Sequence, residues 1–183
     1  HLAHIIAPGA IVYSVYASSG LLADPRGNQI IGGALAASMI VAASIRHARN
    51  VVQSVEYKGI WSGLPRTNIG FLALGFVLSA TVTHFPAALW GGLLLIPIVC
   101  WASLTRLPFA NHRLPRKHFW WVQVLIALTF ILLLASILVY PRVLFDILFI
   151  GIGLYSLGSA LALTAEERSD YRAAVDALRE GAS

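Results

Sequence analysis

Residues Thr67–Thr105 read TNIGFLALGFVLSATVTHFPAALWGGLLLIPIVCWASLT and contain no Asp, Glu, Lys or Arg. A helix needs roughly 20 mostly apolar residues to cross the hydrocarbon layer of a membrane, so this stretch is long enough for two crossings. Backbone polar groups in hydrocarbon must be bonded within their own segment, which predicts that both crossings are helices. His84-Phe85-Pro86 divides the stretch, because a helix usually ends at or before the residue that precedes a proline.

Three further stretches lack these four residue types, namely residues 1–23, 27–45 and 118–141. Hydrophobic residues make up 58% of the chain and charged residues 11%, a composition that excludes a soluble or disordered protein. We therefore expect an all-α, polytopic transmembrane helix bundle with six spans. The predicted spans are about 2–21, 29–47, 68–85, 87–105, 119–139 and 143–163.

The last residues have a different composition, which divides the chain into a transmembrane bundle at 1–163 and a tail at 164–183. Thr164 and Glu167 have the spacing of a capping box, in which each side chain binds a free backbone amide of the first helical turn. Apolar residues then recur at helical spacing up to Gly181. The tail is predicted to be a short amphipathic surface helix that docks on the bundle or on a partner.

Lysine and arginine are concentrated in two of the loops between spans, one from Arg46 to Arg66 and one from Arg106 to His118. Basic loops stay on the cytoplasmic side, so both loops, the start of the chain and the tail are predicted to be cytoplasmic. The expected location is the cell inner membrane. The net charge of +5 does not indicate nucleic-acid binding, because nearly all the cations flank predicted spans.

Several other features within the predicted spans have structural interpretations. Glycine and alanine recur in most spans, and small side chains let helices approach closely in lipid. Packing within the bundle accounts for them, and packing between the subunits of a homodimer is the alternative. Asp146 lies one turn from Arg142, so the two are expected to pair. His1 and His4 lie three residues apart, but no acid is near them, which disfavours a metal site.

The first basic loop is the strongest candidate for a binding site. Its polar residues end one predicted span and begin the next, so they are expected to converge at the membrane boundary if those spans are neighbours. Arginine forks match the oxygens of phosphate or carboxylate, and the start of the following helix offers free amides to an anion. The predicted substrate-binding residues are Arg46, Arg49, Asn50, Lys58 and Arg66. The alternative is that these cations only fix the topology.

The second basic loop contains Arg106, Arg113, Arg116 and Lys117, with no acid among them. Clusters of this kind next to a span contact anionic lipid headgroups. We expect that role for all four residues, and direct contact between Arg106 and a substrate is the alternative.

Four segments resemble landmarks of the CDP-alcohol phosphatidyltransferases, most closely their phosphatidylserine synthase branch, and they occur in the family's order. Residues 7–14 (APGAIVYS) resemble V-A-P-x-x-L-x-Y-S, and residues 46–50 (RHARN) resemble R-L-A-R-F-N without the Phe. Residues 63–65 (GLP) resemble G-[ML]-P, although Arg66-Thr67 replaces the usual small residues or proline. Residues 105–109 (TRLPF) resemble S-[RK]-I-x-[FY].

The family's defining motif, D-x2-D-G-x2-A-R-x8-G-x3-D-x3-D, does not occur in this chain. The resemblance places its last aspartate immediately before His1, so two further helices are expected upstream. In the family these aspartates bind a divalent metal, Mg or Mn, which grips the pyrophosphate of a CDP-activated lipid. The resemblance therefore assigns no catalytic residue and no metal ligand within residues 1–183, and this chain alone is expected to be inactive.

What the resemblance implies is transfer of a phosphatidyl group from a CDP-activated lipid to an alcohol, with release of CMP. The acceptor would be L-serine and the product phosphatidylserine or an archaeal ether analogue, with Arg46, Arg49, Asn50, Lys58 and Arg66 on the substrate side. Inositol phosphate, glycerol phosphate or another acceptor alcohol remains open.

Two alternatives to an active phosphatidyltransferase fit the sequence. One is a non-catalytic membrane scaffold or a transporter-like bundle. Transporters commonly show internal repeats and broken helices around polar residues at the membrane midplane, and the sequence has no clear repeat. The other is a family member that has lost its carboxylates.

Overall fold

The computed structural model of this chain describes residues 3–52, 59–111 and 120–180, and most of these residues are helical. The α-helices in these ranges are α1 (Ala3–Ser18), α2 (Pro25–Val52), α3 (Arg66–Val77), α4 (Ala80–His84), α5 (Leu89–Leu104), α6 (Trp120–Val139), α7 (Leu144–Leu161) and α8 (Ala165–Glu180). Short 3-10 helices cover Pro86–Ala88 and Pro141–Val143, and two short strands are β1 (Ile60–Ser62) and β2 (Pro108–Ala110). The all-α prediction is confirmed apart from these strands.

Five helical segments are long and apolar enough to cross a membrane. They are Pro25–Val52, Arg66–His84, Pro86–Leu104, Trp120–Val139 and Pro141–Leu161. The remaining predicted span corresponds to α1, whose described part has 16 residues. Membrane insertion of the chain is thus supported by five of the six predicted spans, and a sixth crossing by α1 stays a prediction.

The centre of the bundle lies where α1, α2, α3 and α5 meet. Fully buried side chains from each helix fill it, including Tyr16, Met39, Ile69 and Ile96. α7 packs against α3, and α6 packs mainly on α7 at the outside of the bundle. Large apolar side chains cover the outer face of α6, as expected for a helix whose solvent is lipid.

Glycines permit several of these helix contacts. A Cβ added at Gly32 would lie 2.9 Å from the carbonyl oxygen of Tyr13, and one at Gly75 would lie 2.8 Å from the amide nitrogen of Phe149. Real Cβ atoms almost never approach so closely, so only glycine allows α2 to contact α1, and α3 to contact α7, at these points. Packing within the bundle is confirmed for these two glycines.

α2 is longer at both ends than the predicted span 29–47. It begins at Pro25, a residue that suits the first helical position because its missing amide would have had no partner there. Asp24 precedes it, and its Oδ1 accepts a hydrogen bond of 3.0 Å from the Arg26 amide. Asp24 and Pro25, residues that are also common in turns, here start a helix before the predicted span begins.

The predicted span 68–85 is interrupted between α3 and α4. Ser79 starts the new helix by accepting a 3.1 Å hydrogen bond from the Val82 amide. Asp146 of α7 reaches the same turn, where its carboxylate accepts hydrogen bonds from the Ala80 amide (2.8 Å) and the Thr81 hydroxyl (3.1 Å). The expected pairing of Asp146 with Arg142 is thus replaced by capping of α4, because backbone amides without helical partners lie within its reach.

The two basic loops are joined by an antiparallel ribbon, which the sequence pattern did not predict. β1 pairs with β2 so that Trp61 lies opposite Phe109. The Gly63 amide extends this contact by donating a 2.8 Å hydrogen bond to the Leu107 carbonyl. The ribbon brings the ends of α2 and α5 and the start of α3 together, and we call this side of the molecule the basic end.

The tail helix α8 packs under this ribbon. Tyr171 and Val175 are buried with Ile60, Ala110 and Val122 in a second apolar cluster. The predicted capping box is confirmed: the Thr164 amide donates to Glu167 Oε2 (3.0 Å), and the Glu167 amide donates to Thr164 Oγ1 (3.2 Å). The predicted boundary at 163/164 falls in the turn between α7 and α8.

Candidate functional site

A cavity of about 560 Å³ opens at the basic end of the bundle. Four helices and the ribbon supply its walls. The lining residues are His4 of α1, Arg46, His47, Asn50 and Val51 of α2, Trp61 of β1, Pro65, Arg66, Thr67 and Asn68 at the start of α3, and Tyr155 of α7. Its volume is in the range of small-molecule sites, which is about 300–1,000 Å³.

Arg46 lies in the last turns of α2, and its side chain is only 6% exposed. Its Nη2 donates to the carbonyl oxygens of Ser62 (3.2 Å) and Gly63 (3.3 Å), which follow directly in the chain at the end of β1. Its Nε is buried and has no hydrogen-bond partner among the residues that the structure describes. Arg46 therefore ties the ribbon to α2 and is also part of the cavity wall.

Arg49 points to a different part of the molecule. It donates from Nη1 to the Leu104 carbonyl and from Nη2 to the Thr105 carbonyl (3.3 Å), which are the last acceptors of α5. Carbonyls at a helix C-terminus lack helical partners and carry partial negative charge, so an arginine stabilises them. Arg49 is not part of the cavity wall, and its visible role is to cap α5.

The first turn of α3 forms the opposite wall of the cavity. Arg66, Thr67 and Asn68 come directly after Pro65, whose side chain makes no capping hydrogen bond. Asn68 is buried, and its Nδ2 donates a 3.1 Å hydrogen bond to Ser156 Oγ of α7. The positive end of the α3 helix dipole therefore lies at this wall, which favours an anion.

The charges of the cavity are of one sign. Arg46 and Arg66 carry permanent positive charge, and the described lining contains His4 and His47 but no aspartate or glutamate. Two arginines in one cavity repel each other, and a bound anion removes that repulsion. The arrangement therefore suits a phosphate or carboxylate group.

The described lining does not suit a magnesium or manganese ion. These cations prefer oxygen ligands, chiefly carboxylates, and the cavity offers imidazoles and guanidinium groups instead. Among the described residues no three His, Cys, Asp or Glu side chains are grouped so that they could hold a metal ion.

The predicted site residues have different places in the structure. Arg46, Asn50 and Arg66 line one cavity, whereas Arg49 caps α5. Arg106 lies between α5 and β2, is half-buried, and is not among the residues that line the cavity. The remaining predicted residues lie outside the described ranges, namely Lys58, Arg113, Arg116 and Lys117.

Several wall residues were not predicted from the sequence. Asn68 and Tyr155 belong to predicted spans, and Trp61 belongs to the ribbon. A buried asparagine within an apolar span is a signal that could have found one of them, because polar groups in spans are costly unless they have a purpose. Trp61 gave no comparable signal, since its place depends on the pairing of two distant loops.

No family model, curated protein or solved structure matches this chain.

Proposed function

We propose that this chain forms the phosphate-binding part of an integral-membrane phosphatidyltransferase that moves a phosphatidyl group from a CDP-activated lipid to L-serine and releases CMP. The observation that carries the proposal is the cavity at the basic end, where Arg46 and Arg66 face one space with no described carboxylate in its wall. Such a space attracts the phosphate groups of a lipid headgroup. The motifs that resemble the family, at residues 46–50 and 63–65, contribute to this wall.

α1 also contributes to the cavity, because His4 is one of its lining residues. Within the chain itself, the arginines would hold phosphate oxygens, and Asn50, Asn68 and Tyr155 would offer neutral hydrogen-bonding groups to the acceptor.

Arg66 is the best residue for a test. Arg46 also holds the ribbon, so its removal would disturb both folding and binding. Losing one charge-assisted hydrogen bond to phosphate costs about 1.5–3 kcal/mol, so Arg66→Ala should lower kcat/KM by roughly ten- to hundredfold. Arg49→Ala is the matched control. It removes an arginine that caps α5, so it should lower the unfolding temperature while kcat/KM stays within about threefold.

The measurement is CMP release by the natural full-length protein in detergent, with CDP-diacylglycerol, Mg²⁺ or Mn²⁺, and L-serine. Glycerol phosphate and inositol phosphate replace serine in parallel reactions, so a different preferred acceptor would be identified. Equal kcat/KM for Arg66→Ala and the unaltered protein would refute the phosphate site. Phospholipid binding without CMP release for any acceptor would favour the non-catalytic scaffold instead.

A further inference from the structure

A second cavity of about 380 Å³ lies between α3, α6 and α7, and its wall is mainly apolar. Its apolar side chains are Phe71, Ile126, Phe130, Leu133, Leu148 and Ile152. We call this cavity the apolar groove. The function proposed above does not account for it.

The apolar groove adjoins the basic cavity. Thr67, Asn68 and Tyr155 belong to the walls of both, so these three polar residues form the boundary between the two spaces. One side of the boundary offers arginines, and the other offers hydrocarbon side chains. A ligand that occupied both spaces would need an anionic part joined to an apolar part.

The apolar groove runs away from the basic end into the membrane-spanning part of the bundle. Along α6 its wall extends from Ile126 to Leu133, roughly 9–20 Å from Trp120 at 1.5 Å per residue. On α7, Leu148 is the lining residue farthest from the end of that helix at Leu161. Leu133 and Leu148 are therefore the lining residues of their helices that lie farthest from the basic cavity.

The size of the apolar groove fits one hydrocarbon chain. A methylene group fills about the same space as a water molecule, roughly 30 Å³, so the groove accommodates a chain of about a dozen carbons. Two chains of a membrane lipid would exceed this volume. Its apolar wall gives water few hydrogen-bond partners, whereas a hydrocarbon chain needs none.

On the basis of the proposed function, we propose that the apolar groove holds one hydrocarbon chain of the lipid whose phosphate occupies the basic cavity, and that Leu133 and Leu148 set the length of chain accepted. The second chain of the lipid stays in the bilayer. The occupant is a membrane phospholipid with an exposed phosphate, and the chain-length preference resides in α6 and α7 rather than in the basic end.

The test uses phosphatidic acid as the probe, with a photoreactive diazirine near the end of one acyl chain. The purified full-length protein is irradiated with the probe in detergent, and the cross-linked peptides are mapped by mass spectrometry. We expect cross-links near Leu133 and Leu148, reduced by unlabelled phosphatidic acid but not by phosphatidylcholine with the same chains. Equal competition by both lipids would mean ordinary boundary lipid and would overturn the proposal.

Variants of α6 test the chain-length assignment. Leu133→Trp fills the far part of the groove, so long-chain probes should lose about fivefold or more of their labelling while short-chain probes keep theirs. Leu133→Ala should have the reverse effect and increase labelling by longer chains. Leu134→Trp is the matched control, because Leu134 is 63% exposed and is not part of the wall. Identical chain-length profiles for the Leu133 and Leu134 variants would overturn the assignment.

This labelling needs no turnover, so its outcome is independent of the reaction. Groove labelling in a protein that releases no CMP would support the proposed lipid chain in the apolar groove and contradict the proposed transferase activity. CMP release without groove labelling would support the proposed transferase activity and contradict the proposed lipid chain in the apolar groove.

Discussion

Arg46 and Arg49 lie nearly one turn apart on α2, yet their side chains have different partners. Arg46 contacts the end of β1 and lines the basic cavity, whereas Arg49 binds the last carbonyls of α5. Sequence spacing placed both at the same boundary and could not separate them, because the partners of Arg49 lie 55 residues away or more. Both arginines stabilise the basic end, but only Arg46 belongs to the cavity wall.

Gly63 is required by its backbone conformation and by its surroundings. Its φ is +73°, in the left-handed region, and an added Cβ would lie 2.5 Å from the Ser103 carbonyl oxygen. Gly63→Ala should therefore lower the free energy of unfolding by about 1–3 kcal/mol. Thermal unfolding of the variant and the unaltered protein in detergent measures this difference in stability. Gly33→Ala is the control, because nothing lies within 4 Å of an added Cβ there, and it should leave stability unchanged or raise it by up to about 1 kcal/mol.

α4 is a short helix whose N-terminus is capped by a side chain of α7. Asp146 accepts from the Ala80 amide and the Thr81 hydroxyl, so Asp146→Ala should lower the free energy of unfolding by about 0.5–2 kcal/mol, as for lost helix caps. Arg142→Ala separates this role from the ion pair expected from sequence. Arg142 is exposed, and its loss should leave the unfolding temperature unchanged. Equal destabilisation by both variants would instead support the ion pair between Asp146 and Arg142.

α8 is attached to the bundle through its apolar face. Tyr171 is 1% exposed and Leu178 is 37% exposed, although both belong to the same predicted apolar stripe. Tyr171→Ala should lower the stability of the docked helix by about 3 kcal/mol, since burial of a large side chain is lost. Limited proteolysis should then cleave α8 rapidly, while Leu178→Ala leaves it protected. Protection of α8 in the Tyr171 variant would mean that its docking does not depend on this cluster.

Elements set by local chemistry were predictable from sequence, and elements set by distant pairing were not. The long helices follow from the absence of charge, and the capping box follows from Thr164 and Glu167, which are three residues apart. The ribbon depends on the pairing of Trp61 with Phe109, which are separated in the chain by α3, α4 and α5. The same pairing places Trp61 in the cavity wall, so that part of the candidate site could not be read from either loop alone.

At the scale of the whole molecule, the basic cavity and the apolar groove lie on one side of the bundle and share a wall. Their arrangement has the polarity of a membrane, which is polar at its surface and apolar inside. Charged groups lie at the basic end, and apolar side chains line the space between the predicted spans. A phospholipid has the same polarity along its length. This shared polarity is the reason for proposing a phospholipid ligand whose headgroup would lie at the basic end.

The orientation of the bundle is the remaining prediction, and it concerns every helix at once. The positive-inside rule places the basic end and α8 in the cytoplasm, and the Pro86–Ala88 turn at the opposite end on the outer side. Cys100 is the single cysteine among residues 1–183 and is buried, so it should contribute little labelling of its own. Ala87→Cys and Ser169→Cys both alter exposed positions at opposite ends. A maleimide that cannot cross membranes should label Ala87→Cys in intact cells, and Ser169→Cys only after permeabilisation. The reverse pattern would put the basic cavity outside the cell, away from any cytoplasmic CDP-activated substrate.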